Sequence, residues 1–379
     1  MRRLILLFIP YLLFCTDLLN FEGIESSEKD TSVYEFSFIL KEDGDMLVMN
    51  TRGELSQGRV NIRFLGGGQE LIGNYTEEGG FEQKNLLFGP LNAKDSVYVT
   101  ITTNNAVGRW KVQFLEFSPK GSILSIIFSG IIIVLLIIIF IIFIWKRYIG
   151  VRSKWLAIGA GCWALGVALK FIFAILLNKP ILAYIKDLFG QTGYLSLGSV
   201  YIGLLTGIFE IGITLIFALL IKGIYDSKKV AISVGIGAGT VEAFLIGLSQ
   251  IGNGIMVLGG VPGTEKILSA FAQTALTTPL LIFIGPVERI IAILCHIASR
   301  FLVLYAVARR RYIYFWAGFL ILTGIDVIAG YFHLAGLVNV ISLWWIEALL
   351  IPFAIVSILI IRWLMKNWEQ GLYPSQNLS

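Results

Sequence analysis

The chain of 379 residues is 56% hydrophobic and only 15% charged, with a mean hydropathy of +0.79, a balance that no water-soluble domain keeps. Thirty Lys and Arg against 25 Asp and Glu give +5, but the excess falls in short clusters between apolar runs and makes no continuous basic face, which excludes nucleic acid as a partner. The three cysteines (Cys15, Cys162, Cys295) lie in apolar segments and the only histidines are His296 and His333, which excludes a disulfide framework and a CxxC metal site. The composition therefore predicts an integral protein of the lipid bilayer.

The chain opens on two arginines and a short apolar core (MRRLILLFIPYLLFCTDLL), the pattern of a secretory signal. Residues 1–22 are expected to be that signal, and both a cleaved peptide and an uncleaved anchor stay open. Residues 31–118 change character. Alternating stretches such as Ser32–Leu40, Arg59–Leu65, Ser96–Thr103 and Arg109–Leu115, separated by Gly, Asn and Asp turns, predict an extracytoplasmic all-β sandwich. Asn74-Tyr-Thr within it is an N-glycosylation sequon, read as a loop position outside the membrane.

From Ile123 the apolar runs reach the roughly 20 residues that cross a bilayer at about 1.5 Å per residue. They predict an α-helical polytopic bundle of about seven transmembrane helices, at 122–145, 154–178, 198–222, 230–250, 286–308, 313–333 and 340–363. Lys146, Arg147, Arg152, Lys154, Lys222, Lys228, Lys229, Arg309–Arg311, Arg362 and Lys366 then fall on one side, the cytoplasm by the positive-inside rule. The tail 366–379 is cytoplasmic by the same count. The Gly-rich segment 252–285 becomes an outside connection, with a short interfacial helix over 265–278.

Isolated charges recur at one depth. Glu210, Glu242, His296 and Asp326 each stand about ten to thirteen residues from a span end, near the midplane, while Glu288, Arg289 and Glu347 stand nearer the outer surface. A charge at the bilayer centre costs about 2.5 to 3.5 kcal/mol, so four ionisable groups at one level predict a shared polar chamber. Its expected members are Glu242, His296, Glu288, Arg289 and Ser299 together with Glu210 and Asp326. Interhelical hydrogen bonds alone, worth about 0.6 kcal/mol each, are the simpler use of such groups. Gly203, Gly207, Gly212, Gly235, Gly237, Gly239 and Gly247 are read as close helix contacts.

Three segments resemble a known family. Gly207-Ile-Phe-Glu-Ile-Gly-Ile-Thr214 is similar to A-G-x-F-E-E-x-x-R, Gly235-Ile-Gly-Ala-Gly-Thr-Val-Glu-Ala-Phe-Leu-Ile-Gly247 to G-x-G-H-G-G-I-E-A-I-L-L-G, and Val287–Ser299 to E-R-x-x-A-x-x-x-H-x-x-x-S. These are the motifs of the YhfC family, a branch of the glutamic-type intramembrane proteases that includes the CAAX- and bacteriocin-processing enzymes. The resemblance covers residues 154–365 and implies a six-helix core in which Glu210 is the water-activating base and Asp326 the late acidic partner. It also implies losses: the family's second Glu is Ile211, its Arg is Thr214, its motif His is Ala238 and the His before Asp326 is Leu322. Without donors for the oxyanion and the leaving amine, each worth about 100- to 1000-fold, the resemblance implies a degenerate protease. No metal and no cofactor are expected, since one midplane histidine is a poor start for a zinc site. The expected function is a binding or scaffold protein for a transmembrane helix or an extracytoplasmic protein. Two alternatives stand beside it, an active protease based on Glu210 and a proton or solute pathway through the chamber.

Overall fold

The computed structural model describes residues 15–25, 31–39, 45–76, 79–89, 96–338 and 340–369. Contacts divide the chain into two units, one of Met1–Ile126 with Asn253–Leu281 and the other of Ile127–Gly252 with Ile282–Ser379.

In the first unit, β1 (Cys15–Glu25), β2 (Ser32–Ile39), β3 (Met46–Gly66), β4 (Gln69–Thr76), β5 (Gly79–Phe88) and β6 (Ser96–Phe117) form one antiparallel sheet. The expected sandwich of two sheets is replaced by a half-barrel. Two strands of 21 and 22 residues, β3 and β6, pair side by side, with β4 and β5 end to end along the outer edge of β3 and β1 and β2 along that of β6. The Gly and Asn positions that read as strand ends are bulges inside these strands. The register shifts between Leu55, Gln57 and Arg59, where Gly58, Asn105 and Gly108 all have positive φ, and bulges of this kind bend a strand without ending it. The bend turns the two halves onto one core, in which Phe64 meets both Phe88 (ring centroids 5.6 Å apart) and Phe114 (6.1 Å). Alternation does the rest: Val97, Val99 and Ile101 face inward and Tyr98 outward.

Residues 15–22, expected within the leader, belong to β1 and pair with β6 from Cys15 opposite Phe117 onward; Met1–Phe14 lie outside the described residues. Asn74 stands on β4 opposite Asn61, not in a loop, with its side chain exposed.

The helices are α1 (Lys120–Ile139, continued by a π-helix Phe140–Ile149), α2 (Lys154–Thr206), α3 (Gly212–Leu220), α4 (Lys228–Leu258), α5 (Glu265–Thr277), α6 (Leu281–Arg309), α7 (Ile313–Leu334) and α8 (Trp344–Asn367). The short α5 lies where an interfacial helix was expected, and its Ala272, Ala275 and Leu276 pack on Met46, Val48 and Phe117 of the sheet.

Among the described residues six helical elements are long and apolar enough to cross a membrane, one of them running from Lys154 to Leu220. That element is a hairpin. Gly190, at φ 67° and ψ −167°, reverses the direction of α2, a backbone conformation open essentially to glycine. Asn178 and Lys170 on the first arm then meet Tyr201 and Thr206 on the second, at 2.8 and 3.2 Å. The expected spans 154–178 and 198–222 are thus its two arms. No side chain crowds Gly190, so Gly190→Ala tests the backbone alone. It is expected to cost about 1–3 kcal/mol, read as a lowered unfolding midpoint in detergent with an unchanged helical circular-dichroism spectrum.

Candidate polar chamber in the helical unit

Small residues bring the charge-bearing helices together. The second arm of the hairpin reaches a five-residue π-turn, Gly207–Ile211, which carries Glu210. The turn lies against Gly166 of the first arm, where a Cβ would collide with the Phe209 carbonyl. On α4, Gly235 and Gly239 sit against the backbone of Ile297 and Ile293, which draws α6 close enough for His296 to reach Glu242. Gly203, Gly207, Gly237 and Gly247 are close contacts as well, whereas Gly212 faces open space.

Two linked ion clusters result. In the first, the Lys170 ammonium donates to Glu210 Oε1 at 2.7 Å, and Nη2 of Arg300 donates to Glu210 Oε2 at 3.3 Å. Lys170 also lies 3.8 Å from Asp326, which accepts a hydrogen bond from the Thr206 hydroxyl. In the second, Glu242 accepts from Arg289 on Oε1 (2.7 Å) and, on Oε2, from the Trp163 indole (2.8 Å) and His296 Nε2 (2.7 Å). Arg289 continues to Glu288 at 2.5 Å. Glu210 and Arg300 are fully or almost fully buried; Asp326 and Glu288 keep about a third of their side chains exposed, at 35% and 39%.

The geometry therefore joins Glu210 to Asp326 through Lys170, and Glu242 to His296, Arg289 and Glu288. Ser299 stays outside both clusters: its hydroxyl donates to the His296 carbonyl (3.2 Å) one turn back and receives only a long contact from Arg300 at 3.5 Å. The sequence reading missed Lys170, Arg300, Trp163 and Thr206. The first two were within reach of the argument that found Glu210, because each interrupts an apolar span, and Arg300 stands four residues after His296 on the same helical face. Beside Lys170 and Asp326 a cavity of about 150 Å³ opens, with Asn178 and Thr206 on its wall and apolar residues around them.

One donor atom each from Glu210, Glu242 and His296 lies within 4.8 Å of the other two, a spacing that a zinc ion spans. The chemistry of these donors does not fit one. Each carboxylate oxygen already accepts from a cation or an N–H, and His296 spends Nε2 on Glu242. Its Nδ1 is buried without a hydrogen-bond partner, where a zinc-bound imidazole has an anchoring acceptor. Three fixed cations share the chamber, and each unit-charge pair at about 4 Å opposes a further cation by about 4 kcal/mol in a protein environment.

No curated protein matches the chain. The family model of the YhfC intramembrane metalloproteases matches residues 132–350, more than half the chain and all of the chamber. That match shows the family: the chain belongs to the YhfC intramembrane metalloprotease family.

Proposed function

We propose that this YhfC-family membrane protein is a non-catalytic receptor or scaffold that holds a membrane partner through its helical unit. One observation carries the reading: Glu210, the residue in the position of the base, has one oxygen held by Lys170 and the other by Arg300. Water activation needs a carboxylate oxygen that accepts a proton from a bound water, and here accepting one means breaking an ion pair inside the bilayer. The losses at Ile211, Thr214, Ala238 and Leu322 point the same way, since each removes a charged or imidazole group from the family's motifs.

The topology belongs to the same proposal. The hairpin counts as two crossings and the chain as seven, with the basic clusters at the C-terminal ends of α1, α3, α6 and α8 in the cytoplasm. That arrangement puts the half-barrel and α5 outside, where the sheet meets an extracytoplasmic segment of the partner, and the N-terminal stretch 1–22 supplies the export signal, as a signal peptide or a signal anchor. Asn74 is exposed on the outside face and open to glycosylation.

The test is affinity purification from native membranes of the wild type beside Glu210→Ala, with intact and truncated partners read by mass spectrometry. A membrane partner recovered full-length and alike from both is the expected result. A partner cut within its span by the wild type and left whole by Glu210→Ala would establish Glu210 as a working base and end this reading.

A further inference from the structure

The family description and the chamber disagree about a metal ion, and the disagreement is specific to identified side chains. We infer that Lys170, Arg289 and Arg300 stand in the chamber in place of a divalent cation, and that withdrawing them turns Glu210, Glu242 and His296 into a divalent-metal site. A catalytic metal centre needs carboxylates whose lone pairs face the ion and an imidazole that offers a lone pair while its other nitrogen donates to an acceptor. This chamber keeps the carboxylates and the imidazole at metal-site spacing, within 4.8 Å, but each oxygen of Glu210 and Glu242 accepts from a protein cation or N–H, and His296 spends Nε2 on Glu242.

The substitution shows in the charges. Three fixed cations, Lys170, Arg289 and Arg300, face the carboxylates Glu210, Glu242, Glu288 and Asp326, so the cluster carries its own cations. It is also permanent. Arg300 is fully buried, with its guanidinium 3.3 Å from Glu210, and an arginine keeps its charge at any working pH. The first cluster alone holds Glu210 by both oxygens, so Lys170 and Arg300 are the pair whose removal frees a ligand. The unpartnered Nδ1 of His296 sets the expected strength: an imidazole without its anchor binds a metal about 10- to 100-fold more weakly than an anchored one.

The inference rests on the same chamber as the proposed scaffold role, but its test does not involve cleavage, so the two fail separately. Purified full-length protein, exposed to Co²⁺ or Zn²⁺ and then desalted, is assayed for metal by elemental mass spectrometry and for Co²⁺ by its visible ligand-field bands. Wild type is expected to retain well under one equivalent. Lys170→Met/Arg300→Met is expected to retain about one equivalent, with tetrahedral Co²⁺ bands that vanish when His296→Ala is added. Should that double variant not fold, Arg300→Gln, which keeps a neutral donor beside Glu210, is read in the same way and is expected to show a partial gain. A wild type that retains one equivalent, lost in His296→Ala, would overturn the inference even if the protein cuts nothing. So would folded variants that still take up no metal, because the cations would then not be what excludes it.

Discussion

Arg300→Met is expected to lower the unfolding free energy of the helical unit by about 3–5 kcal/mol, the range for removing one partner of a buried ion pair. The side chain is fully buried and its guanidinium lies 3.3 Å from Glu210, so the loss leaves a buried carboxylate with Lys170 as its remaining cation. The expectation is sharper for the pair than for the single change. Glu210→Gln strands Arg300 instead, while Glu210→Gln/Arg300→Met removes both charges of the buried pair and leaves Lys170 beside Asp326 at 3.8 Å, and replacing both partners of a buried pair is often close to neutral. The double variant should therefore recover most of what either single variant loses. Reversible unfolding in detergent or in bilayer discs gives the three free energies, and the cycle gives the coupling. Additive losses would mean that Arg300 and Glu210 act independently, and the reading of a locked carboxylate would go with them.

The second large effect is steric. Gly237→Ala is expected to cost about 3 kcal/mol, near the upper end for overpacking, because the added methyl falls on the backbone carbonyl of Leu156, which cannot rotate away. The helices it forces apart, α2 and α4, are those joined by the Trp163–Glu242 hydrogen bond of 2.8 Å, so one methyl group would also loosen the chamber. Gly161→Ala on α2 is the matched control. Nothing lies within 4 Å of that position, and alanine there should be neutral or stabilising by up to about 1 kcal/mol. Equal midpoints for the two variants in a thermal-unfolding series would remove the argument from helix packing.

Hydropathy located the long apolar helices, because length and apolarity are visible one segment at a time. Depth counting likewise put Glu210, Glu242 and His296 at one level, and the structure brings their ligand atoms within 4.8 Å. What a single segment does not carry is who faces whom. Lys170 and Arg300 show the difference: each visibly interrupts an apolar span, but a long side chain delivers its charge several Å from its own Cα, so its depth says little about its partner. The hairpin was hidden by its composition, since Asn178–Gly193 is polar enough to read as a loop and yet is helical on both sides of Gly190. The β region failed in the opposite sense. Gly58, Asn105 and Gly108 have the chemistry of turns, and only pairing of β3 with β6 beyond them shows that the strands run on.

The hairpin has a consequence for how the chain enters the bilayer. Its first arm carries Lys170 and its second Glu210, and either segment presented alone would bring a full charge to the hydrocarbon at a cost of about 2.5 to 3.5 kcal/mol. Folded at Gly190, the arms bring these two charges to 2.7 Å, where they form an ion pair. Insertion of the two arms as one paired unit would then cost less than insertion of two successive segments. Separating the arms, by a chain break or a rigid insert at residue 190, would strand both during synthesis before any partner is encountered.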